Sequence, residues 1–253
     1  MNPDISNNKT AQKEEENDRR YSLFLSMTTH DLMAPMRKLG VLTDRLVSKF
    51  EQVDDEEVNQ YTRRIHTCIE EMKSILNACR MIAEAVPENM HPEMVDTGEL
   101  LQEILNEYHV RIKEEKVEIT LTPLPTMEGD RIQLGGLFRE LIENALVFSK
   151  KDLPLKLEIS AGEVALENGE NDLPGGNYWK FVFSDNGIGF KQEESERIFH
   201  PTVRLHGKSA FPGNGLGLTL VKKIAGNHGG AVCAESEEGK GSRFILIFPK
   251  TQG

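Results

Sequence analysis

From about residue 20 to residue 86 apolar side chains recur at helical spacing, and helix breakers are almost confined to Pro35 and Gly40. The second half of this region holds Val58, Tyr61, Ile65, Cys68, Met72, Ile75, Cys79 and Ile82. The steps alternate three and four, the seam of a coiled coil or bundle helix. The first half has a column at Leu25, Leu32, Leu39 and Leu46, supplemented by Met36, Leu42 and Phe50. The acidic run "EQVDDEEV" between them suits a short connection, with Asp54 or Asp55 as cap of the second helix. Two long helices joined tightly predict an antiparallel hairpin. A lone hairpin leaves half of each apolar face wet, so the pattern predicts a homodimer closing a four-helix bundle. The alternative is a hairpin packed on the rest of its own chain.

One stretch of the first helix breaks its own pattern. "FLSMTTHDLMAPMRKL" carries His30 and Asp31 in its middle and Pro35 five residues after the histidine. A proline inside a helix costs roughly 3 kcal/mol through a lost hydrogen bond and a ring clash. Relative to the leucine column His30 lies off the seam, so an exposed imidazole is expected.

After Pro87 and Pro92 the periodicity changes. "VDTGELLQEILNEYHV" predicts a short strand and a helix with an acidic first turn, and "KVEITLTP" predicts a strand. "GDRIQLGGLFRELIENALVFS" has a cap-like Asp130 and a long amphipathic body. Strand-like runs follow at "PLKLEIS", "NYWKFVFSD", "GAVCAES" and "SRFILIFP", while "AGEVALENGENDLPGGN" reads as a surface hairpin or loop. This order fits a mixed sheet with helices on one face. The expected fold is therefore multidomain, all-α then α+β: a polar tail over 1–19, a helical hairpin over 20–87, and an α/β sandwich over 88–253.

Composition narrows the partners. The 253 residues include 30 basic and 41 acidic side chains, a net charge of −11. No basic stripe interrupts that balance, which argues against nucleic acid and anionic membrane as partners. No apolar run approaches the roughly 20 residues of a bilayer span, and "MNPDISNNKTAQKEEENDRR" lacks the apolar centre of a signal peptide. Three cysteines, Cys68, Cys79 and Cys233, without a C-x-x-C pair suit reduced thiols in a cytoplasmic protein.

Candidate chemistry lies in three clusters. "ELIENAL" sets Glu140 and Asn144 at i and i+4, on one helix face. "DNGIGF" places Asp185, Gly187 and Gly189 directly after a strand. "GNGLGLTLVKKI" places Gly213, Gly215 and Gly217 at the start of an amphipathic helix. Glycines at a helix start let backbone N–H groups approach a phosphate, which the helix dipole favours. An asparagine nearby can give Mg²⁺ the hard oxygen it prefers. Each cluster alone has a plain reading, a polar helix residue, a glycine turn or a flexible loop; the order and contexts of all three together point to a nucleotide.

The three clusters resemble the N, G1 and G2 boxes of the Bergerat-type ATP-binding domain shared by sensor histidine kinases, gyrase-type topoisomerases, mismatch-repair ATPases and a heat-shock chaperone. "THDLMAPMRKL" resembles the H box of a histidine kinase, and "RIFHPTVRLHGKSAFPGNGLGL" and "HGGAVCAESEEGKGSRFILIFP" resemble the end of phytochrome-type cytoplasmic histidine kinases. The resemblance covers about 20–250. It implies that His30 takes the γ-phosphoryl group of ATP, with Asp31 polarising or deprotonating the ring. It implies that Asp185 binds the adenine amino group, that Gly187 and Gly189 shape the pocket, and that Asn144 holds Mg²⁺ against the phosphates. Gly213, Gly215 and Gly217 would hinge an ATP lid around 202–216. Arg204 would stabilise charge on the transferring phosphate, Phe199 falls in the F box, and Ser242 would reach the adenine through water.

Departures from the family pattern shape the expected activity. Glu140 stands where histidine kinases usually have a second asparagine, and Glu-x-x-x-Asn is the arrangement of the ATP-hydrolysing relatives, so Glu140 is a candidate general base. Val147 replaces a basic residue common three positions after the asparagine, which predicts weaker ATP binding. Ala34 replaces the Thr or Asn of kinases that also dephosphorylate their partner, which predicts weak phosphatase activity. The leading expectation is a homodimeric, ATP-dependent protein-histidine kinase that hands phosphate from His30 to an aspartate on a response regulator receiver domain. The alternatives are a dimeric phosphotransfer scaffold with a degenerate ATP site, or an ATPase using Glu140. Only about 20 polar residues precede the helices, so either the chain is cut from a longer one or it takes its signal from a separate sensor protein.

Overall fold

Helix α1 (36–46) and helix α2 (Glu56–Glu84) carry the seam-like periodicity of the N-terminal region. The computed structural model describes residues 32–33, 36–46, 56–86, 89–205, 211 and 215–250, and the chain divides into two units, Met1–Glu84 and Ala85–Gly253. His30, Asp31, Ala34, Pro35, Gly213 and the capping pair Asp54 and Asp55 lie outside the described residues.

The helices form at the expected period, but the packed stripe is in a different phase. Met36, Thr43, Thr62, Ile69 and Ala78 are buried, whereas Leu39, Leu46, Tyr61, Ile65 and Met72 of the expected seams are exposed. At Gly40 the two helices face each other with room for a methyl: a Cβ there would lie 3.7 Å from Lys73 Nζ and 4.0 Å from Ile69 Cγ2. Thr43 remains buried because its hydroxyl donates to the Leu39 carbonyl at 2.9 Å. Asp44 lies 3.9 Å from His66, so the contacts run in opposite order along the two helices.

The second unit begins with strand β1 (Glu93–Asp96), helices α3 (Thr97–Glu107) and α4 (His109–Glu114), and strands β2 (Glu118–Leu121) and β3 (Thr126–Gly129). Helix α5 (Arg131–Val147), strands β4 (Lys156–Leu166) and β5 (Gly176–Asp185), helix α6 (Gly217–Asn227), and strands β6 (Ala231–Glu237) and β7 (Gly241–Pro249) follow. Strand β3 was not expected from the sequence; the segment read as a surface hairpin or loop is a hairpin, with β4 running to Leu166 and pairing antiparallel with β5 from Gly176. Strands β1 and β3 pair antiparallel; the main sheet has order β2-β4-β5-β7-β6, with β2 parallel to β4 and the other pairs antiparallel.

Alternation along β5 and β7 sorts the sheet into two faces. Phe181, Phe183, Phe244, Leu246 and Phe248 are buried on one of them, where Phe138 of α5 has its ring centroid 5.6 Å from Phe183 and 6.0 Å from Phe181. Leu134, Leu137, Leu141, Leu220, Val221 and Ile224 fill the same layer from α5 and α6. On the opposite face Tyr178, Ile245 and Ile247 form a smaller cluster with Leu166 at the end of β4 and Leu173 of the β4–β5 connection.

The start of α5 is locked by two polar residues. Asp130 caps it, its Oδ1 accepting from Gln133 N at 2.9 Å while Oδ2 accepts from His91 N at 2.8 Å. His228 at the end of α6 accepts from Asp130 N through Nε2 at 3.0 Å, and its Nδ1–H donates to the Ile224 carbonyl at 2.9 Å. Both ring nitrogens are used by the neutral form, and burial pushes the imidazole below its ordinary range against the pull of the Ile224 bond and Asp130. This histidine is structural.

Candidate nucleotide site

Helix α5 brings the three sequence clusters together. At its C-terminal end the Phe148 carbonyl accepts from Ile188 N at 2.9 Å, which fixes the "DNGIGF" turn against the helix. Two turns earlier the Glu140 carboxylate lies against Gly217, the first residue of α6: a Cβ there would overlap Glu140 Oε2. A side chain at 217 would have to displace the end of Glu140.

Glu140 is a half-buried acid. Burial, and secondly the charge of Glu143, push its carboxyl up to about 7. Tyr108, on the turn between α3 and α4, is half-buried and pushed up to about 12, first by burial and then by Glu143, with a further contribution from Glu140. The group is therefore poised between acid and base near neutrality. Asn144, four residues on and on the same face, has its amide nitrogen buried with no hydrogen-bond partner.

Asp185 ends β5, and its Oδ1 accepts from Gly187 N at 2.8 Å and from Ser242 N at 3.3 Å. Burial raises this carboxyl; the two backbone bonds and the charge of Lys150 oppose that rise. With Oδ1 committed, Oδ2 is left to accept from a ligand's amine. The turn tolerates no side chain at either glycine. A Cβ at Gly187 would meet the Phe148 carbonyl oxygen at 2.6 Å, and Gly189, at φ +62°, would meet the Glu237 carbonyl oxygen at 2.2 Å. Ser242 meets Asp185 through its backbone. Its hydroxyl lies 3.3 Å from Ser236 Oγ, which itself donates to the Gly241 carbonyl at 2.8 Å, so its described link to Asp185 is the backbone N–H.

On the third side Gly215 adopts φ +72°, and its carbonyl accepts from Thr202 N at 2.9 Å. Arg204 donates through Nη2 to the Phe211 carbonyl at 2.6 Å, and the Phe211 ring lies 5.3 Å from that of Phe148. Phe199 is buried, and its carbonyl accepts from Thr219 Oγ1 at 3.2 Å.

Comparison with known proteins assigns a family to part of the second unit, residues 129–252. Residues 129–252 match the family described as Histidine kinase-, DNA gyrase B-, and HSP90-like ATPase. Residues 129–252 are an ATPase domain of this kind. Over 226 residues the chain is 28% identical to cyanobacterial phytochrome A of Nostoc sp., covering 89% of the chain and 28% of that relative. It is 26% identical to the sensor-like histidine kinase SenX3 of Mycolicibacterium smegmatis, over 90% of the chain and 57% of the relative. The chain thus spans under a third of the phytochrome relative and rather more than half of SenX3. Full-length ShkA, solved with AMPPNP, superposes with a TM-score of 0.64 at 23% identity over 90% of this chain and 46% of its own. The histidine kinase AdeS of Acinetobacter baumannii superposes with a TM-score of 0.56 at 20% identity over 88% of this chain and 98% of its own. A relative and a structural neighbour named as histidine kinases thus align with about nine-tenths of this chain.

Several residues of the ATPase domain site were not singled out from sequence. Lys150 acts on Asp185 across the turn after α5. Asn186 braces that turn, accepting from Lys156 N at 2.8 Å and donating to the Pro154 carbonyl at 3.0 Å. Phe148 and Phe211 form their ring pair although far apart in sequence, and no short-range pattern encodes that pairing. The one local signal was the lysine pair in "FSKKD", directly after the asparagine helix.

Proposed function

We propose that the chain is an ATP-dependent protein-histidine kinase that autophosphorylates on His30 and passes the phosphoryl group to an aspartate on a response regulator. The observation that carries this reading is the convergence on α5: Glu140 against Gly217, the Asp185 turn against Phe148, and the unsatisfied Asn144 amide between them in sequence. Asp185 Oδ2 would take the adenine amine, and the glycine-rich start of α6 would face the phosphates. The residues fit Mg²⁺ in a limited way. Among the described residues no cluster of three His, Cys, Asp or Glu could hold a metal, so Asn144 would give one oxygen to an ion held mainly by phosphates and water.

In the transfer, an unprotonated nitrogen of His30 attacks the γ-phosphorus. A P–N bond forms, the bond to the bridging β–γ oxygen breaks, and ADP leaves with that electron pair. The ring proton passes to Asp31 or to solvent. The phosphoramidate then gives its phosphoryl group to a receiver carboxylate, restoring the imidazole. Helices α1 and α2 would form an antiparallel hairpin that dimerises through Leu39, Leu46, Tyr61, Ile65 and Met72, all exposed in the single chain. Ala34 makes phosphatase activity weak in this account. Among the described residues no helix is long and apolar enough to cross a membrane.

A second reading has a specific observation behind it. The Glu140 carboxyl, half-buried and poised near pH 7, is suited to take a proton from water, which would make ATP hydrolysis a side activity or the main one. Incubation with radiolabelled ATP and Mg²⁺ separates the readings. The kinase gives acid-labile, alkali-stable label on the protein, whereas the ATPase releases inorganic phosphate and leaves the protein unlabelled. A scaffold with a degenerate site binds no nucleotide.

A further inference from the structure

The end of α4 and the turn after α5 border a cleft of about 490 Å³, within the usual range of small-molecule sites. Its charge runs against that of the chain. Arg111, Lys116, Lys150 and Lys151 line it beside only two acids, Glu115 and Asp152, an excess of two positive charges in a protein of net charge −11. Glu115 is already engaged, accepting from Arg111 Nε at 2.7 Å, while Arg111 Nη2 donates to the Leu146 carbonyl at 3.2 Å. Among the described residues Lys116, Lys150 and Lys151 form no ion pair. Lys116 holds the left-handed φ of +53°, a helix-end conformation where glycine or asparagine is usual. The cleft also has an apolar side, including Phe211 and Leu153, which is 55% exposed.

We propose that this cleft binds an organic phosphate monoester, separately from the nucleotide held at Asp185. A phosphate monoester carries close to two negative charges near neutrality and three strong acceptor oxygens, which matches two uncompensated cations and several unpaired N–H donors. A carboxylate would neutralise half of that charge. The apolar side would hold the organic body, which gives an ester an advantage over inorganic phosphate. Lys150 lies between the two sites, since its charge already acts on Asp185. Occupancy of the cleft would relieve that pull and raise the Asp185 carboxyl.

Calorimetric titration of the full chain with phenyl phosphate tests this. The expected result is saturable binding that persists in Asn144→Ala and in the presence of saturating ATP. A Lys116→Gln/Lys151→Gln double variant should weaken it at least fivefold while nucleotide affinity and the unfolding midpoint stay unchanged. Phenol and inorganic phosphate should each bind several-fold more weakly than phenyl phosphate. Displacement of phenyl phosphate by ATP, loss of its binding in Asn144→Ala, or indifference to the lysine pair would overturn the proposal. Failure of the chain to bind ATP would refute the kinase reading instead, and the phenyl phosphate and lysine-variant readouts would still decide the cleft.

Discussion

The two units treat their apolar residues in opposite ways. In the second, Leu137 and Phe138 of α5 are fully buried, and the sheet and α6 close over them. In the first, Leu39 of α1 keeps 47% of its surface exposed, and eight of the twelve exposed large hydrophobic residues among those described lie on α1, α2 or the segment just before them. A fully buried leucine contributes about 1.5–3 kcal/mol relative to an exposed one. The ATPase domain realises that gain within one chain. The helical unit leaves it for a second surface, and a matching set on a second copy is what the dimer reading supplies.

The comparison can be broken first at Phe138. Phe138→Ala should lower the stability of the ATPase domain by about 3–5 kcal/mol, read as a fall in its thermal or denaturant midpoint. The same truncation at Leu39 should leave the unfolding of the ATPase domain unchanged. Sedimentation of Leu39→Asp/Ile65→Asp should show a shift from dimer to monomer with the ATPase domain intact. A variant that remains dimeric would move the interface elsewhere.

The next effect is at the site. Gly217→Ala sets a methyl into the Glu140 carboxylate, and overpacking of this kind costs about 1–3 kcal/mol. Nucleotide affinity measured by titration should fall roughly tenfold or more, the affinity equivalent of that range. Shortening the acid as well, in Gly217→Ala/Glu140→Ala, should restore part of it.

The smallest effects are in pH dependence, and they have opposite signs. His228 has a depressed pKa in the folded protein. Its contribution is present above the unfolded value near 6.5 and is lost as pH falls through the lower folded value. Glu140 is raised from 4.5 to about 7, so its contribution is present below 4.5 and is lost as pH rises between those values. Melting curves between pH 5 and 8 should show Glu140→Gln losing the second dependence and His228→Gln the first. ATP hydrolysis by the wild type should rise through about pH 7 and be abolished or flat in Glu140→Gln.

These contrasts explain what could be read in the residues. The strands, Asp130 as a cap and the three site clusters were legible because each is local: alternation, a capping side chain, a glycine turn after a strand. The phase of the helical stripe was not, because two adjoining apolar stripes share one period, and nothing local says which of them packs inside the chain. Strand β3 escaped notice because four residues, "TMEG", give too short an alternation, and its pairing with β1 is set over thirty positions away. The poise of Glu140 needed the fold as well. Its glutamate identity was visible, but burial against Gly217 and the proximity of Glu143 set its pKa.

The most direct test of the account is incorporation of label from γ-labelled ATP into the wild type, His30→Ala and Asn144→Ala. The kinase account predicts acid-labile, alkali-stable label on the wild type that is absent from both variants, with nucleotide binding retained in His30→Ala. Label that persists in His30→Ala, or a wild type that binds ATP and releases phosphate without ever being labelled, would contradict it.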